Sequence, residues 1–95
     1  MSTDIGPIEF VFTGPIGVDV KGDVWSCVEV PGSVEFFGTG KAVKVVSRVD
    51  AEPLTVALMP TGSGGHMISI SAKLRKKLGK EIGDAVTVRL TERLT

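Results

Sequence analysis

The sequence predicts a mainly β domain of the α+β type, in which one or two short helices cap a small six-stranded barrel. The segment Gly64–Leu90 has the pattern of a complete strand–helix–strand unit. Most of the chain before it alternates apolar and polar residues, which is typical of half-buried strands. With 95 residues, the chain has room for a single hydrophobic core. These observations together favour one β-rich domain over a helical bundle.

The strand–helix–strand unit is the clearest local pattern. His66–Ile70 alternates as a strand, and Ser71 then occupies the position of a helix N-cap. Strong helix formers fill Ala72–Leu78, and Gly79 is placed to end the helix in a left-handed conformation. A turn at Ile82-Gly83-Asp84 leads into a last strand. Its inward face is predicted to carry Val86, Val88 and Leu90.

Four further strands and a short helix are predicted upstream. The strands are expected at Ile8–Thr13, Val24–Val30, Lys41–Asp50 and Leu54–Met59. Asp50-Ala51-Glu52 is a tight connection that predicts an antiparallel hairpin. A helical turn is expected at Val34–Phe37, closed by Gly38. The large aromatic side chains are expected in the core or capping it: Trp25, Phe36 and Phe37.

A weak internal repeat links the two halves of the chain. Val24–Val49 reads strand, short helix, glycine, strand, and so does His66–Leu90. Two units that each expose an apolar face would stack to share one core. We therefore expect a pseudo-twofold arrangement of strand–helix–strand units.

Composition sets the class of protein. Residues 1–95 are expected to form a single domain, with 1–7 as a loose tail and 8–92 as the barrel. No apolar run is long enough to cross a bilayer, and no N-terminal leader pattern is present. Cys27 is the only cysteine, so no disulfide forms within the chain. A reduced, cytoplasmic location without membrane association is the expectation.

Three segments together resemble a small bacterial family of unknown function. They are GGHMISISAKLRKKLGKEIGDAVTVRL, VWSCVEVPGSVEFFG with its tryptophan strand and proline, and AEPLTVALMPTGSGG with its Leu-Met-Pro loop. The resemblance covers the chain from Ile8 to Glu92. In that family the domain often precedes a second domain associated with YdeI/OmpD-type bacteriocin-protection proteins.

The same C-terminal segment is distantly similar to the swapped-hairpin DNA-binding domains of the AbrB, MazE and SpoVT type. That likeness implies a double-split β-barrel, here with both hairpin units in one chain. It also implies phosphate contacts from the basic helix, namely Lys73, Arg75, Lys76 and Lys77.

Charge placement bears on the DNA hypothesis. Six acidic residues accompany one lysine before residue 36, whereas seven bases accompany three acids from Lys73 to Arg93. In the first strand–helix–strand unit, the positions equivalent to the basic helix lie within Gly32–Gly38. They carry Ser33, Glu35 and Phe36 instead of bases. A DNA site assembled from both units would need bases in each, so a solvated helix face is favoured over a phosphate-contacting one.

The Gly-rich loop is the other candidate site, with Ser63, Gly64, Gly65 and His66 as its proposed binding residues. It lacks the lysine of a P-loop and leads into a strand, so a flexible connection is favoured over a phosphate cradle. His66 is expected at the surface and Cys27 as a packed thiol. A catalytic Cys27–His66 pair stays open only if the fold brings them together. No spacing suggests a metal site.

The leading functional prediction is a non-enzymatic binding module, without a cofactor, for an unknown protein or small-molecule ligand. The alternative is an AbrB-like DNA-binding regulator. A third hypothesis is an enzyme that uses His66 beside the Gly-rich loop. The expected state is a monomer or a weak homodimer.

Overall fold

The computed structural model describes residues 5–62 and 64–95, and within them it contains eight strands and two helices. In chain order they are β1 (Gly6–Pro15), β2 (Val18–Val20), β3 (Asp23–Trp25), β4 (Cys27–Val30), α1 (Ser33–Phe37), β5 (Val43–Val49), β6 (Glu52–Pro60), β7 (His66–Ser69), α2 (Ala72–Leu78) and β8 (Ala85–Arg93). The prediction of a mainly β fold with two short helices is therefore confirmed. The main sheet has six strands, and a separate two-stranded hairpin adds β2 and β3.

The main sheet runs in the order β1-β8-β5-β6-β7-β4 and curls into a half-barrel. All neighbouring strands in it are antiparallel. The two outermost strands, β1 and β4, approach each other. A Cβ added to Gly14 of β1 would lie only 3.4 Å from Val28 Cγ1 of β4. The N–H of Gly17 also donates to the carbonyl of Cys27 at 2.7 Å. These contacts bring the ends of the sheet together.

The prediction of a single strand over Val24–Val30 is wrong, because the strand is interrupted at Ser26. There the Ser26 hydroxyl and carbonyl both hydrogen-bond the backbone of Ile70. The chain before the break pairs with β2 instead, so Trp25 lies opposite Val18 in the small hairpin. Trp25 is consequently 47% exposed, and the expectation that it packs in the core or caps it is wrong.

The core lies inside the curled sheet. The predicted inward face of β8 is confirmed, since Val86, Val88 and Leu90 are buried; Val43, Val45 and Val49 of β5 are buried as well. Phe37 is buried as well, and Phe36 packs edge-on against Phe10 with ring centroids 4.7 Å apart. Aromatic side chains of α1 thus fill the core beside β1.

Helix α2 begins and ends as the sequence predicts. The side chain of Ser71 accepts the N–H of Leu74 at 3.1 Å, which is an N-cap bond. Gly79 ends the helix with φ 68° and ψ 33°. Leu74 and Leu78 pack against the core, so the helix covers the barrel with one apolar face. Among the described residues, no helix is long and apolar enough to span a bilayer.

Candidate functional site

A buried histidine lies at the centre of the first candidate site. His66 opens β7 and has no exposed surface. Its Nδ1 lies 2.7 Å from the Ser33 hydroxyl, and its Nε2 lies 2.8 Å from the carbonyl oxygen of Lys41. A carbonyl oxygen only accepts, so Nε2 carries a proton and donates it to Lys41. In the neutral ring Nδ1 then accepts from the Ser33 hydroxyl. His66 therefore ties β7 to α1 and to the segment before β5.

The expectation of a surface imidazole is wrong for a tertiary reason. His66 pairs with Val30 of β4 and with Pro60 of β6, so it lies between two strands. Helix α1 covers the ring, with Phe37 edge-on at a centroid distance of 5.9 Å. His66 and its two successors in β7 are all buried, which breaks the alternation expected there.

A cleft of about 230 Å³ lies beside this buried cluster. Gly64 and Gly65 line it together with residues of the first turn of α1. The lining residues are Glu29, Val30, Gly32, Ser33, Val34, Glu35, Gly64 and Gly65. We call this the acidic cleft, because both charged side chains that line it are carboxylates. Two of the four predicted binding residues, Gly64 and Gly65, line it. His66 lies behind Ser33, and Ser63 lies outside the described residues.

Glycine is required where the chain bends around the acidic cleft. Gly32 precedes α1 with φ 65°, and Gly64 has φ 94°. Side chains other than glycine rarely adopt these angles. The space around both is open, since an added Cβ would meet no atom within 4 Å. The backbone, more than the side chains, therefore sets the shape of this cleft.

The Cys27–His66 pair is not formed. Cys27 pairs with Ser69 at one end of the β4–β7 ladder, and His66 pairs with Val30 at the other. Three residues along a strand correspond to about 10 Å, too far for proton transfer between them. Cys27 is 5% exposed, so the prediction of a packed thiol is confirmed. Burial raises the pKa of this thiol, and a hydrogen bond with Ser69 only partly offsets that effect.

Three of the four predicted phosphate contacts, Lys73, Lys76 and Lys77, share one face of α2, and Arg75 lies on another. The Lys77 amine lies 3.1 Å from a Glu52 carboxylate oxygen. Lys73 and Lys76 are exposed and make no ion pair with any described residue. Arg75 is half-buried, and its Nε has no hydrogen-bond partner in the described part of the chain.

A second and larger cleft, of about 540 Å³, lies at the C-terminal end of α2. We call it the basic cleft, because bases outnumber acids among its lining residues: Ala72, Arg75, Lys76, Gly79, Lys80, Glu81 and Asp84. Lys80 was not among the residues singled out from the sequence, although it belongs to the same run of bases. Its position became significant only through the fold, since its amine lies 2.6 Å from Asp50 in the turn between β5 and β6.

No three histidine, cysteine or carboxylate side chains gather into a possible metal site within residues 5–62 and 64–95. Comparison with known sequences then identifies the kind of domain. Residues 12–90 match the family described as "Domain of unknown function (DUF1905)". No curated protein matches the chain. Because the match spans most of the chain, from β1 to β8, this protein belongs to the DUF1905 family.

Proposed function

We propose that this chain is a non-catalytic binding module that holds one basic side chain of a partner protein in the acidic cleft. The observation that carries the proposal is the charge of the lining: Glu29 and Glu35 contribute carboxylates, and none of the described lining residues is a base. A lysine or arginine side chain would complement both charges. Because both carboxylates are exposed, the attraction is screened and the binding is weak at high salt.

The size of the acidic cleft supports a side chain as its occupant. Pockets that hold drug-sized molecules have volumes of about 300–1,000 Å³. The 230 Å³ here is smaller and suits a single long side chain. Val34, which is partly exposed, supplies apolar surface against which the methylene stem of a lysine or arginine would pack.

The floor of the acidic cleft is preorganised. The Ser33 hydroxyl is hydrogen-bonded to Nδ1 of His66, and Nε2 of the imidazole is hydrogen-bonded in turn to the Lys41 carbonyl. Ser33 itself is buried, so it fixes the first turn of α1 against β7 and leaves contact with a bound ammonium or guanidinium to Glu29 and Glu35. Rigid groups of this kind lower the entropy lost on binding.

The same geometry supports a non-catalytic role. The Ser33 side chain is only 1% exposed, so its oxygen has little access to a substrate carbonyl. Both nitrogens of His66 are engaged within the fold, and the group that orients the ring is a backbone carbonyl instead of a carboxylate. Attack by Ser33 would require α1 to move away from β7.

We also propose that the two strand–helix–strand units are related by a pseudo-twofold axis. Strand β4 pairs antiparallel with β7, and β5 pairs antiparallel with β8. Equivalent strands related by a twofold axis pair in this way. Both helices end at a left-handed glycine, Gly38 and Gly79, at equivalent places in the two units.

Binding to the acidic cleft is tested by titrating the ¹⁵N-labelled protein with N-acetyl-lysine amide and N-acetyl-norleucine amide at low salt. Norleucine amide is the matched control because it keeps an aliphatic stem and lacks the charge. We expect saturable shifts of the Gly64 and Gly65 amide signals with lysine amide alone. The double substitution Glu29→Gln/Glu35→Gln should abolish them, and Glu92→Gln, an exposed carboxylate on β8, should not.

Equal responses to the two amides would rule out a charge-directed site. Unchanged binding by the Glu29→Gln/Glu35→Gln protein would place the ligand elsewhere. A lysine-dependent chemical change in any probe, lost in Ser33→Ala, would contradict the non-catalytic assignment.

A further inference from the structure

The basic cleft contains a cationic group that the fold itself does not satisfy. Arg75 lies in the middle of α2, and its Nε is buried yet has no acceptor among the described residues. A buried donor without a partner costs about 1–3 kcal/mol. Native structures therefore rarely keep such a donor without a reason, and one reason is an acceptor supplied by a ligand.

The other charges of the basic cleft are unequally engaged. Lys80 is held by the Asp50 carboxylate and by the carbonyl oxygen of Ala85. Asp84 accepts the backbone N–H of Glu81 at 2.9 Å and so closes the turn between α2 and β8. Lys76 makes no ion pair with any residue the structure describes. Arg75 and Lys76 are thus available to a ligand, opposed by the carboxylates of Glu81 and Asp84, of which Asp84 is already engaged by the Glu81 N–H.

The end of α2 does little to repel an anion. Carbonyl groups at a helix C-terminus normally carry partial negative charge. Here the carbonyl of Arg75 accepts from the N–H of Lys80 at 3.0 Å, and the carbonyl of Lys76 accepts from Gly79 at 3.2 Å. These bonds satisfy two of the last carbonyl groups, and the helix end carries only about half a negative charge against the full positive charges of Arg75 and Lys76.

We propose that the basic cleft binds a small organic anion, through a phosphate or carboxylate group held by Arg75 and Lys76. An arginine fork matches the geometry of both oxyanions and binds them bidentately. The cleft volume of 540 Å³ lies in the range of small-molecule sites, so the remainder of the ligand also has room. Because Nε is buried, the Arg75 side chain has to rotate toward the cleft for Nε and a terminal nitrogen to reach the oxyanion together. This site is separate from the acidic cleft and does not depend on the function proposed there.

The test is a ¹⁵N NMR titration at constant ionic strength with three probes: sodium pyrophosphate, sodium succinate and, as the salt control, sodium chloride. We expect saturable shifts of the Gly79, Lys80 and Glu81 amides with pyrophosphate or succinate, and the stronger of the two identifies the oxyanion. Arg75→Gln and Lys76→Gln should each weaken binding about tenfold, which is typical of losing one charge-assisted contact. Glu81→Gln should strengthen anion binding, because the substitution removes one of the negative charges that line the cleft.

Arg89→Gln is the matched control, since it removes an exposed guanidinium whose partner is Glu9 of β1. Because Arg75 is half-buried, its variant could fail to fold, and the exposed Lys76 then carries the test. The proposal would be overturned if sodium chloride shifted the same amide signals as much as the two organic or phosphate anions do. Unchanged anion affinities in both Arg75→Gln and Lys76→Gln would overturn it as well. Binding of random duplex DNA that depends on Arg75 and Lys76, without response to either small anion, would replace it with a nucleic-acid surface.

Discussion

Lys80 lies 2.6 Å from Asp50, and this ion pair joins the end of α2 to the turn between β5 and β6. The Asp50 carboxylate also accepts the N–H of Thr87 at 2.8 Å, and its own N–H donates to the Thr87 carbonyl at 2.9 Å. One residue of a two-residue turn therefore contacts both α2 and β8. The neighbouring ion pair of Lys77 with Glu52 reinforces the link.

The free energy of unfolding should decrease in acid because of Asp50. Partial burial raises the pKa of its carboxyl, but hydrogen bonds from Lys80 and Thr87 and the Lys80 charge outweigh that effect and lower it below the ordinary 3.8. A carboxyl whose pKa is lowered by folding stabilises the fold above its unfolded pKa. That contribution is lost as the pH falls below 3.8 through the folded value. Urea unfolding at a series of acidic pH values measures the loss.

Asp50→Asn is the control for this pH dependence. The amide oxygen can still accept the Thr87 N–H, while the titrating charge is removed. The variant should be less stable at neutral pH and should show a shallower decline in acid. If its acid decline equals that of the parent protein, other carboxylates account for the effect.

Ala51→Gly should stabilise the protein. Ala51 follows Asp50 in the turn, and both have positive φ, 76° and 48°. Such a turn favours glycine, because a Cβ in the left-handed region costs about 1 kcal/mol. Glycine removes that strain but increases the entropy of the unfolded chain, so the net gain should be up to about 0.5 kcal/mol. Chemical denaturation with an unchanged m-value measures it.

Ala42→Gly provides the matched comparison for the turn. Ala42 is exposed, is not part of any helix or strand, and does not have a positive φ. The same substitution there carries only the entropic cost, about 0.4–1 kcal/mol of destabilisation. If Ala51→Gly and Ala42→Gly both lower the free energy of unfolding, the conformation of Ala51 is not strained.

Ser33→Ala should destabilise the fold by about 1–3 kcal/mol, because it leaves the buried Nδ1 of His66 without its partner. Ser69→Ala, at the exposed end of β7, should cost much less. The proton on Nε2 can be assigned from the ¹⁵N shifts of the His66 ring, which should report the Nε2–H tautomer. A loss below about 0.5 kcal/mol in Ser33→Ala would mean that water replaces the hydroxyl.

Local chemistry explains which features could be predicted from the sequence. The limits of α2 follow from Ser71 and Gly79, whose preferences act within one turn of the helix. The burial of His66 could not be predicted, because its partners Ser33 and Lys41 are 33 and 25 residues away along the chain. The exposure of Trp25 likewise depends on a break at Ser26 that β7 imposes.

The candidate sites show the same division. Gly64 and Gly65, which the Gly-rich loop suggested as binding residues, line the acidic cleft, and their binding role stays a prediction. Glu29 and Glu35 were counted only as charge, because their position on one cleft depends on how α1 folds back from β4. The ion pairs of Lys77 with Glu52 and of Lys80 with Asp50 could not be predicted for the same reason.

Cys27 should react slowly with thiol reagents in the folded protein. The thiolate is the reactive form, and burial holds the pKa of this thiol above the ordinary 9.0, with Ser69 lowering it only in part. The side chain is also 5% exposed, so a reagent has to wait for β4 to separate from β7. We expect a rate roughly two orders of magnitude or more below that in concentrated urea. In the double variant Cys27→Ala/Ser69→Cys, the thiol lies at the exposed position opposite residue 27 in the same ladder and should react at nearly the unfolded rate. If the thiols of the folded parent protein and of the folded double variant react at equal rates, the β4–β7 ladder opens freely. The curled sheet would then lose its outermost strand in solution.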